Sequence, residues 1–223
     1  MKQHIIFDLD DTLYLEKDFV KSGFKAVDRH LIKTFKIYGF YDKAWKRFTD
    51  GENKYIFDNV LIDLKCQDDV NPIKELVKIY REHKPNIKLL DDSKWALKYY
   101  SSLNPISLLS DGYLQSQQNK VESLRVESFF EKIYFTDYWG RQFWKPNLFV
   151  FKELQKDFSK TFNDFVYISD NPLKDFIATN ELGWKSICIK REFGIYNEVD
   201  VPSNGKPNII INSLYELENL LPL

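Results

Sequence analysis

Two aspartates near the start of the chain stand two residues apart, directly after an apolar run. Asp8 and Asp10 follow His4-Ile5-Ile6, a run typical of a short buried strand. Side chains at positions i and i+2 leave a strand on the same face, so we expect both carboxylates to point into one cleft. Two carboxylates this close repel, so one must hold a proton or a cation must lie between them. The pair therefore predicts a metal-assisted reaction, although two solvated acids in a turn would give the same short pattern.

Further polar residues follow later apolar runs. The second predicted strand ends at Ser110 and Asp111. Lys145 stands at the start of the helix after the third, and Asp170 and Asp175 follow the fourth. In open α/β sheets the ligand site lies beyond the carboxyl ends of the strands, near the switch in strand order. We therefore expect a hydroxyl, a lysine and two more acids where a phosphate and a divalent cation would need them.

The elements that position these residues alternate between strand and helix. Alternation of this kind predicts an α/β fold: a Rossmann-like parallel sheet with helices on both faces. Pro172 is expected to open a short helix, and Ser213 with Glu216 forms a capping box before the final helix. The predicted strands cover residues 4–9, 105–110, 132–135, 165–168, 186–190 and 208–211.

The segment between the first two strands is different, because it shows helical periodicity and no convincing strand. Apolar residues three and four apart predict a long first helix, and Gly39 is expected to end it. Later groups predict three more helices. We therefore expect a helical domain of about four helices over residues 14–91, inserted into a core domain formed by residues 1–13 and 92–223.

Composition limits the possible partners. The chain has 223 residues, of which 43% are hydrophobic, so we expect a packed core. Its net charge is −1, so we expect no general attraction to nucleic acid or to an anionic membrane. Cys66 and Cys188 lack metal-ligand spacing, and the three histidines are scattered. No apolar stretch reaches a membrane span, and residues 1–4 lead directly into the first strand. These features favour a reduced, cytoplasmic protein.

Together the motifs resemble those of a known superfamily. Asp8-x-Asp10-x-Thr12, Ser110, Lys145 and Asp170-(x)4-Asp175 occur in the order found in the haloacid dehalogenase (HAD) superfamily. The resemblance covers nearly the whole chain, and the inserted helices resemble that superfamily's cap domain. Ser169 stands where many relatives have glycine.

The resemblance implies a Mg²⁺-dependent phosphatase, a phosphoric monoester hydrolase that works through an aspartyl-phosphate. Asp8 would be the nucleophile, and Asp10 a general acid/base whose pKa is raised in the cleft. The implied catalytic residues are Asp8, Asp10 and Lys145; the implied phosphate-binding residues are Ser110, Asp111 and Lys145; Mg²⁺ would be held by Asp8, Asp10 and Asp170; and Asp175 and Thr12 would support the site. Asp175 would orient Lys145 or a metal-bound water, Thr12 would hydrogen-bond locally, and Asp11 would act in the turn or as a helix cap.

Alternatives within and beyond the superfamily remain open. A phosphomutase or phosphotransferase would use the same residues, and a non-catalytic binding module would keep only the fold. Dehalogenases typically lack the second aspartate, which is present here as Asp10. The expected partner is a small phosphorylated metabolite, such as a sugar phosphate or a nucleoside monophosphate. Residues 14–56 contain ten Lys/Arg against six Asp/Glu, an excess that could attract such a molecule or simply be solvated. The sequence leaves the oligomeric state open.

Overall fold

The computed structural model describes residues 2–66, 73–196 and 198–221. The chain forms two compact units, one of Met1–Lys17 with Lys88–Leu223 and one of Asp18–Ile87. We call the first the sheet unit and the second the helical unit. The domain boundaries and the cap role of the inserted helices stay predictions.

The sheet unit contains six parallel strands in the order β3-β2-β1-β4-β5-β6. The switch in strand order therefore lies between β1 and β4, where ligand sites of open α/β sheets are found. The predicted Rossmann-like α/β fold is confirmed. The strands are β1 (Gln3–Phe7), β2 (Ser107–Ser110), β3 (Lys132–Phe135), β4 (Asp164–Ser169), β5 (Lys185–Ile189) and β6 (Ile209–Ile211).

Most predicted helices are present with shifted ends. The first helix ends at Phe35, and Gly39, with φ +85°, precedes the second helix instead of ending the first. The helix expected to open at Pro172 begins at Asp175, because Asn171 Oδ1 accepts the Leu173 N–H and holds a turn there. The helices are α1 (Glu16–Phe35), α2 (Phe40–Thr49), α3 (Ile56–Asp63), α4 (Ile73–Glu82), α5 (Asp91–Leu103), α6 (Leu114–Leu124), α7 (Leu148–Phe158), α8 (Asp175–Glu181) and α9 (Leu217–Leu220). Helix α5 was not anticipated, whereas the capping box at Ser213 is confirmed.

Each unit has its own apolar core. In the sheet unit Phe151 of α7 and Phe176 of α8 pack with Tyr167 of β4, and all three are fully buried. In the helical unit Phe24 and Val60 belong to a separate cluster. Burial of this apolar surface holds the strands rigidly, so that the loops after β1, β2 and β4 start from fixed positions.

Two features of the described residues bear on the environment of the chain. None of their helices is long and apolar enough to cross a membrane. Both cysteines are free and buried. The cytoplasmic location stays a prediction.

His4 of β1 gives the sheet unit a dependence on pH. Its ring stacks on Phe158 with centroids 3.9 Å apart, and its Nε2 lies 2.9 Å from Ser107 Oγ. Burial lowers the pKa of His4 from 6.5 to about 4. Between these two values the unfolded chain binds a proton that the folded chain does not, so stability falls as the pH falls. We expect this one group to cost about 3 kcal/mol of unfolding free energy over that interval.

Urea denaturation of the wild type and of His4→Gln across this pH range measures the effect. The variant keeps the carboxylates of the protein and loses only the imidazole, so its unfolding free energy is expected to vary less. If the unfolding free energy changed equally with pH in both proteins, the assignment to His4 would be wrong.

Candidate active site

Lys145 lies at the centre of a buried charge cluster at the carboxyl ends of β1 and β4. Its Nζ is 2.7 Å from Asp8 Oδ1 and 2.9 Å from Asp175 Oδ1. It also donates a hydrogen bond of 2.8 Å to the Tyr167 hydroxyl. Although burial opposes its charge, Asp175 and Asp8 hold the pKa of Lys145 well above its usual value. The lysine is therefore a fixed cation that touches the predicted nucleophile.

Asp8 and Asp175, the two acids that contact this lysine, form a group with Asp170. Each offers one carboxylate oxygen, and these oxygens all lie within 4.8 Å of one another. Burial raises the pKa of Asp8 to about 7, against the opposing effect of Lys145, and Asp175 raises it further. Burial and the neighbouring Asp175 and Asp8 raise the pKa of Asp170 well above its usual range. The raised pKa values mean that protons neutralise part of this group, and a divalent cation could take the place of those protons.

Asp175 has two tasks in this group. One oxygen faces Lys145, and the other accepts hydrogen bonds from Ser169 Oγ at 2.5 Å and from the Asn171 N–H at 3.1 Å. Because both oxygens are occupied within the protein, Asp175 fits a role in orienting Lys145 better than one as a direct metal ligand. Ser169, at the position where many HAD members have glycine, thereby helps to hold Asp175.

Asp10 lies apart from this group and has a different cation. Lys120 Nζ is 2.7 Å from Asp10 Oδ1 and 2.8 Å from Oδ2. The Tyr14 hydroxyl and Gln117 Nε2 also donate to this carboxylate. Burial raises the pKa of Asp10, but the charge and hydrogen bonds of Lys120 outweigh it and the net pKa is lowered. The expectation of a raised pKa at Asp10 was therefore wrong, because the sequence did not reveal this buried lysine.

Ser110, at the end of β2, is held by the first turn of α6. Its Oγ donates a hydrogen bond of 3.0 Å to Gln117 Oε1. Gly112 makes this possible: its φ of +129° is unfavourable for other residues, and a Cβ there would lie 2.6 Å from Gln117 Nε2. The loop after β2 is thus shaped around the Gln117 amide.

Asp111, predicted to bind phosphate, has both carboxylate oxygens occupied. Oδ1 accepts hydrogen bonds from Thr136 Oγ1 at 2.7 Å and from the Lys145 N–H at 3.0 Å. Oδ2 lies 2.6 Å from Lys174 Nζ. The side chain therefore links the loops after β2, β3 and β4, and contact with a phosphate at Asp111 would have to come from its backbone N–H.

The residues after Asp10 hold the loop in place. Asp11 has φ +46°, and its carboxylate accepts the Glu16 N–H at 2.7 Å, at the start of α1, and the Ile195 N–H at 2.9 Å. The expected turn or cap role is thus what the geometry shows. Thr12 differs from expectation: among the described residues its buried hydroxyl has no hydrogen-bond partner, and it is the Thr12 carbonyl that is held, by Arg191.

Sequence reasoning missed several residues that the fold brings to the site. Gln117 and Lys120 stand on α6, and a polar residue on a helix gives no sign in the sequence that it is buried. Tyr167 stands in a β4 run that reads as apolar core. These residues include Tyr14, Gln117, Lys120, Tyr167, Lys174 and Arg191.

A family model described as haloacid dehalogenase-like hydrolase matches residues 5–189. The chain belongs to this family. The match spans the two lysines of the site, Lys120 and Lys145, and the acids that they contact.

Curated relatives and solved structures agree with this family. The chain is 25% identical over 227 residues to a glyceraldehyde 3-phosphate phosphatase of Pyrococcus furiosus, covering 97% of this chain and 92% of that one. It is 26% identical over 231 residues to the enzyme of that name from Methanocaldococcus jannaschii, covering 99% and 97%. Its fold is similar to a crystal structure of a HAD-hydrolase from Bacillus subtilis bound to magnesium, with a TM-score of 0.68, 16% identity and complete coverage of both chains. The prediction of a HAD-like enzyme is confirmed, and the relatives are consistent with the predicted class, a phosphoric monoester hydrolase.

Proposed function

We propose that this protein is a Mg²⁺-dependent phosphatase that transfers a phosphoryl group to Asp8 and then to water. The observation that carries the proposal is the buried group of Asp8, Asp170 and Asp175, in which Lys145 pairs with Asp8 and Asp175. Phosphoryl transfer through an aspartate needs three features: a carboxylate nucleophile, a fixed cation and a site for a metal ion.

In the first half of the reaction an oxygen of Asp8 bonds to phosphorus, and the bond from phosphorus to the leaving oxygen breaks. The leaving oxygen takes a proton from the Asp10 carboxyl. Lys145 Nζ, 2.7 Å from Asp8, stabilises the negative charge that the nucleophile and the phosphoryl oxygens share. Ser110 Oγ and backbone N–H groups at the start of α6 would bind those oxygens.

In the second half water attacks phosphorus and the bond from Asp8 to phosphorus breaks. Asp10 takes the proton of the attacking water. Its lowered pKa leaves it as a carboxylate at neutral pH, which suits it to this acceptor role. Asp10 must therefore gain a proton before it can give one to the leaving oxygen. That proton comes from the water of the preceding turnover, or is taken up when the substrate is bound.

The donor set fits Mg²⁺, a hard cation that prefers carboxylate, carbonyl and water oxygens. Asp8 and Asp170 would hold it through their side chains, and Asp10 through its backbone carbonyl. The ion would supply positive charge to the phosphoryl oxygens and would relieve the repulsion that, beside burial, raises the pKa values of Asp8 and Asp170.

We further propose a small sugar phosphate as the substrate. The support is the relation to two glyceraldehyde 3-phosphate phosphatases, which cover nearly the whole chain at 25% and 26% identity. Three-carbon phosphates are therefore the first candidates, followed by other sugar phosphates and nucleoside monophosphates.

Removal of the metal is expected to abolish turnover reversibly. Release of inorganic phosphate would be measured from glyceraldehyde 3-phosphate, a panel of phosphometabolites and p-nitrophenyl phosphate, in protein treated with EDTA and after Mg²⁺ is returned. We expect no release from the chelated protein and recovery with Mg²⁺. Full activity after exhaustive chelation would remove the metal from the mechanism. Transfer to a sugar hydroxyl without release would favour a phosphotransferase.

A further inference from the structure

We propose that Lys120 is a positioning residue that, together with Gln117, holds the Asp10 carboxyl in the orientation for proton exchange with the leaving oxygen. This inference rests on the proposed phosphatase function and adds to it a second lysine, distinct from Lys145, with its own task.

The geometry is that of a clamp on both oxygens of one carboxylate. Lys120 Nζ lies 2.7 Å and 2.8 Å from the two Asp10 oxygens, and Gln117 Nε2 donates to Oδ2 at 3.2 Å. Lys120 and Gln117 are three residues apart on α6, so they leave the helix on the same face. Each is only 3% exposed. Burying a lysine is costly unless it is paired, and Asp10 is the carboxylate that it contacts at hydrogen-bond distance.

The same helix turn also holds the residue expected to bind phosphate. Gln117 Oε1 accepts the Ser110 hydroxyl while its Nε2 reaches Asp10, so one amide connects both groups. The space for this amide exists because residue 112 is glycine. Helix α6 therefore fixes Ser110 and Asp10 relative to each other.

Fixing Asp10 matters most when the leaving group needs a proton. Proton exchange requires the two heavy atoms to approach to hydrogen-bond distance, and small displacements reduce the rate strongly. An alkyl phosphate expels a strongly basic oxygen that must be protonated as it leaves. p-Nitrophenyl phosphate expels a weakly basic oxygen that needs little help. In the first half of the reaction a residue that acts through Asp10 should therefore affect the first substrate far more than the second.

The test compares kcat/KM for an alkyl phosphate, glycerol phosphate, with kcat/KM for p-nitrophenyl phosphate, in the presence of Mg²⁺. This quantity covers the steps up to departure of the leaving oxygen and excludes the later attack of water, in which Asp10 acts alike on every substrate. For Lys120→Met we expect a loss of about 100-fold on the alkyl phosphate and less than about tenfold on the aryl phosphate. Asp10→Asn is expected to show the same split. The double variant should lose no more than Asp10→Asn alone, because Lys120 affects this proton exchange through that carboxyl.

Two further proteins keep the test decisive if Lys120→Met is poorly folded. Gln117→Leu removes a neutral donor from the clamp and is expected to give a smaller split in the same direction. Lys152→Met, at an exposed position on α7, is the control and should leave both rates unchanged. Equal losses on the two substrates, or additive losses in the double variant, would overturn the role of Lys120 and leave the phosphatase intact. No Mg²⁺-dependent release by the wild type from any phosphate ester would overturn both.

Discussion

Replacing Asp8 by Asn is expected to reduce phosphate release by about 10³-fold or more, because an amide oxygen is a poor nucleophile toward phosphorus. The loss should appear in kcat with every substrate, including p-nitrophenyl phosphate, because formation of the bond to phosphorus is common to all of them. This pattern separates Asp8 from Asp10 and Lys120, whose effects on kcat/KM depend on the leaving group.

The same variant is expected to remain folded. The amide side chain keeps the shape of the carboxylate that it replaces, and its oxygen can still accept from Lys145 Nζ, which lies 2.7 Å from Asp8 Oδ1 in the wild type. Removing a buried charge that lies beside Asp170 and Asp175 also relieves repulsion. Thermal unfolding should therefore give a midpoint equal to or above that of the wild type. Asp164→Asn, at the opposite end of β4, is the matched control and should keep full activity. Substantial turnover by folded Asp8→Asn would contradict the covalent mechanism.

Replacing Lys145 by Met is expected to damage both activity and stability. The side chain is 1% exposed and pairs with Asp8 and Asp175, which are themselves buried, so its removal takes from both acids the cation that contacts them. Breaking a buried ion pair by removing one partner typically costs about 3–5 kcal/mol. Urea denaturation at neutral pH measures this loss, and phosphate release should fall by about 10²-fold or more because the charge on the transferring group is no longer stabilised.

Two comparisons identify the cause of the instability. The double variant Asp8→Asn/Lys145→Met also lacks the Asp8 carboxylate that lost its cation, so part of the lost stability should return. Mg²⁺ should stabilise Lys145→Met more than the wild type, because the uncompensated acids bind a cation more strongly. Lys152→Met serves as the control for removing an exposed lysine. If Lys145→Met were as stable as the wild type in the absence of Mg²⁺, the ion pairs of Lys145 with Asp8 and Asp175 would not contribute to stability.

The positions of Asp8 and Asp10 show what local sequence can and cannot predict. An apolar run followed by Asp8 and Asp10 correctly places both acids at the end of a strand, because strand burial and side-chain alternation are local properties. It does not separate them by function. In the fold Asp8 faces Lys145, whereas Asp10 faces Lys120, and the two carboxyls have pKa values shifted in opposite directions.

The sequence by itself determined the α/β class and the succession of strands and helices along the chain. It also determined that acids and a lysine follow the strand ends. Each of these depends on neighbours within a few residues. Only the tertiary structure decided which cation pairs with which acid, that Asp111 links three loops, and that α6 turns Gln117 and Lys120 toward Asp10. The physical reason is separation along the chain: Lys120 and Asp10 are 110 residues apart, and Lys145 and Asp8 are 137 apart. Such contacts, and the charge states that follow from them, arise only when the buried sheet brings the loops together.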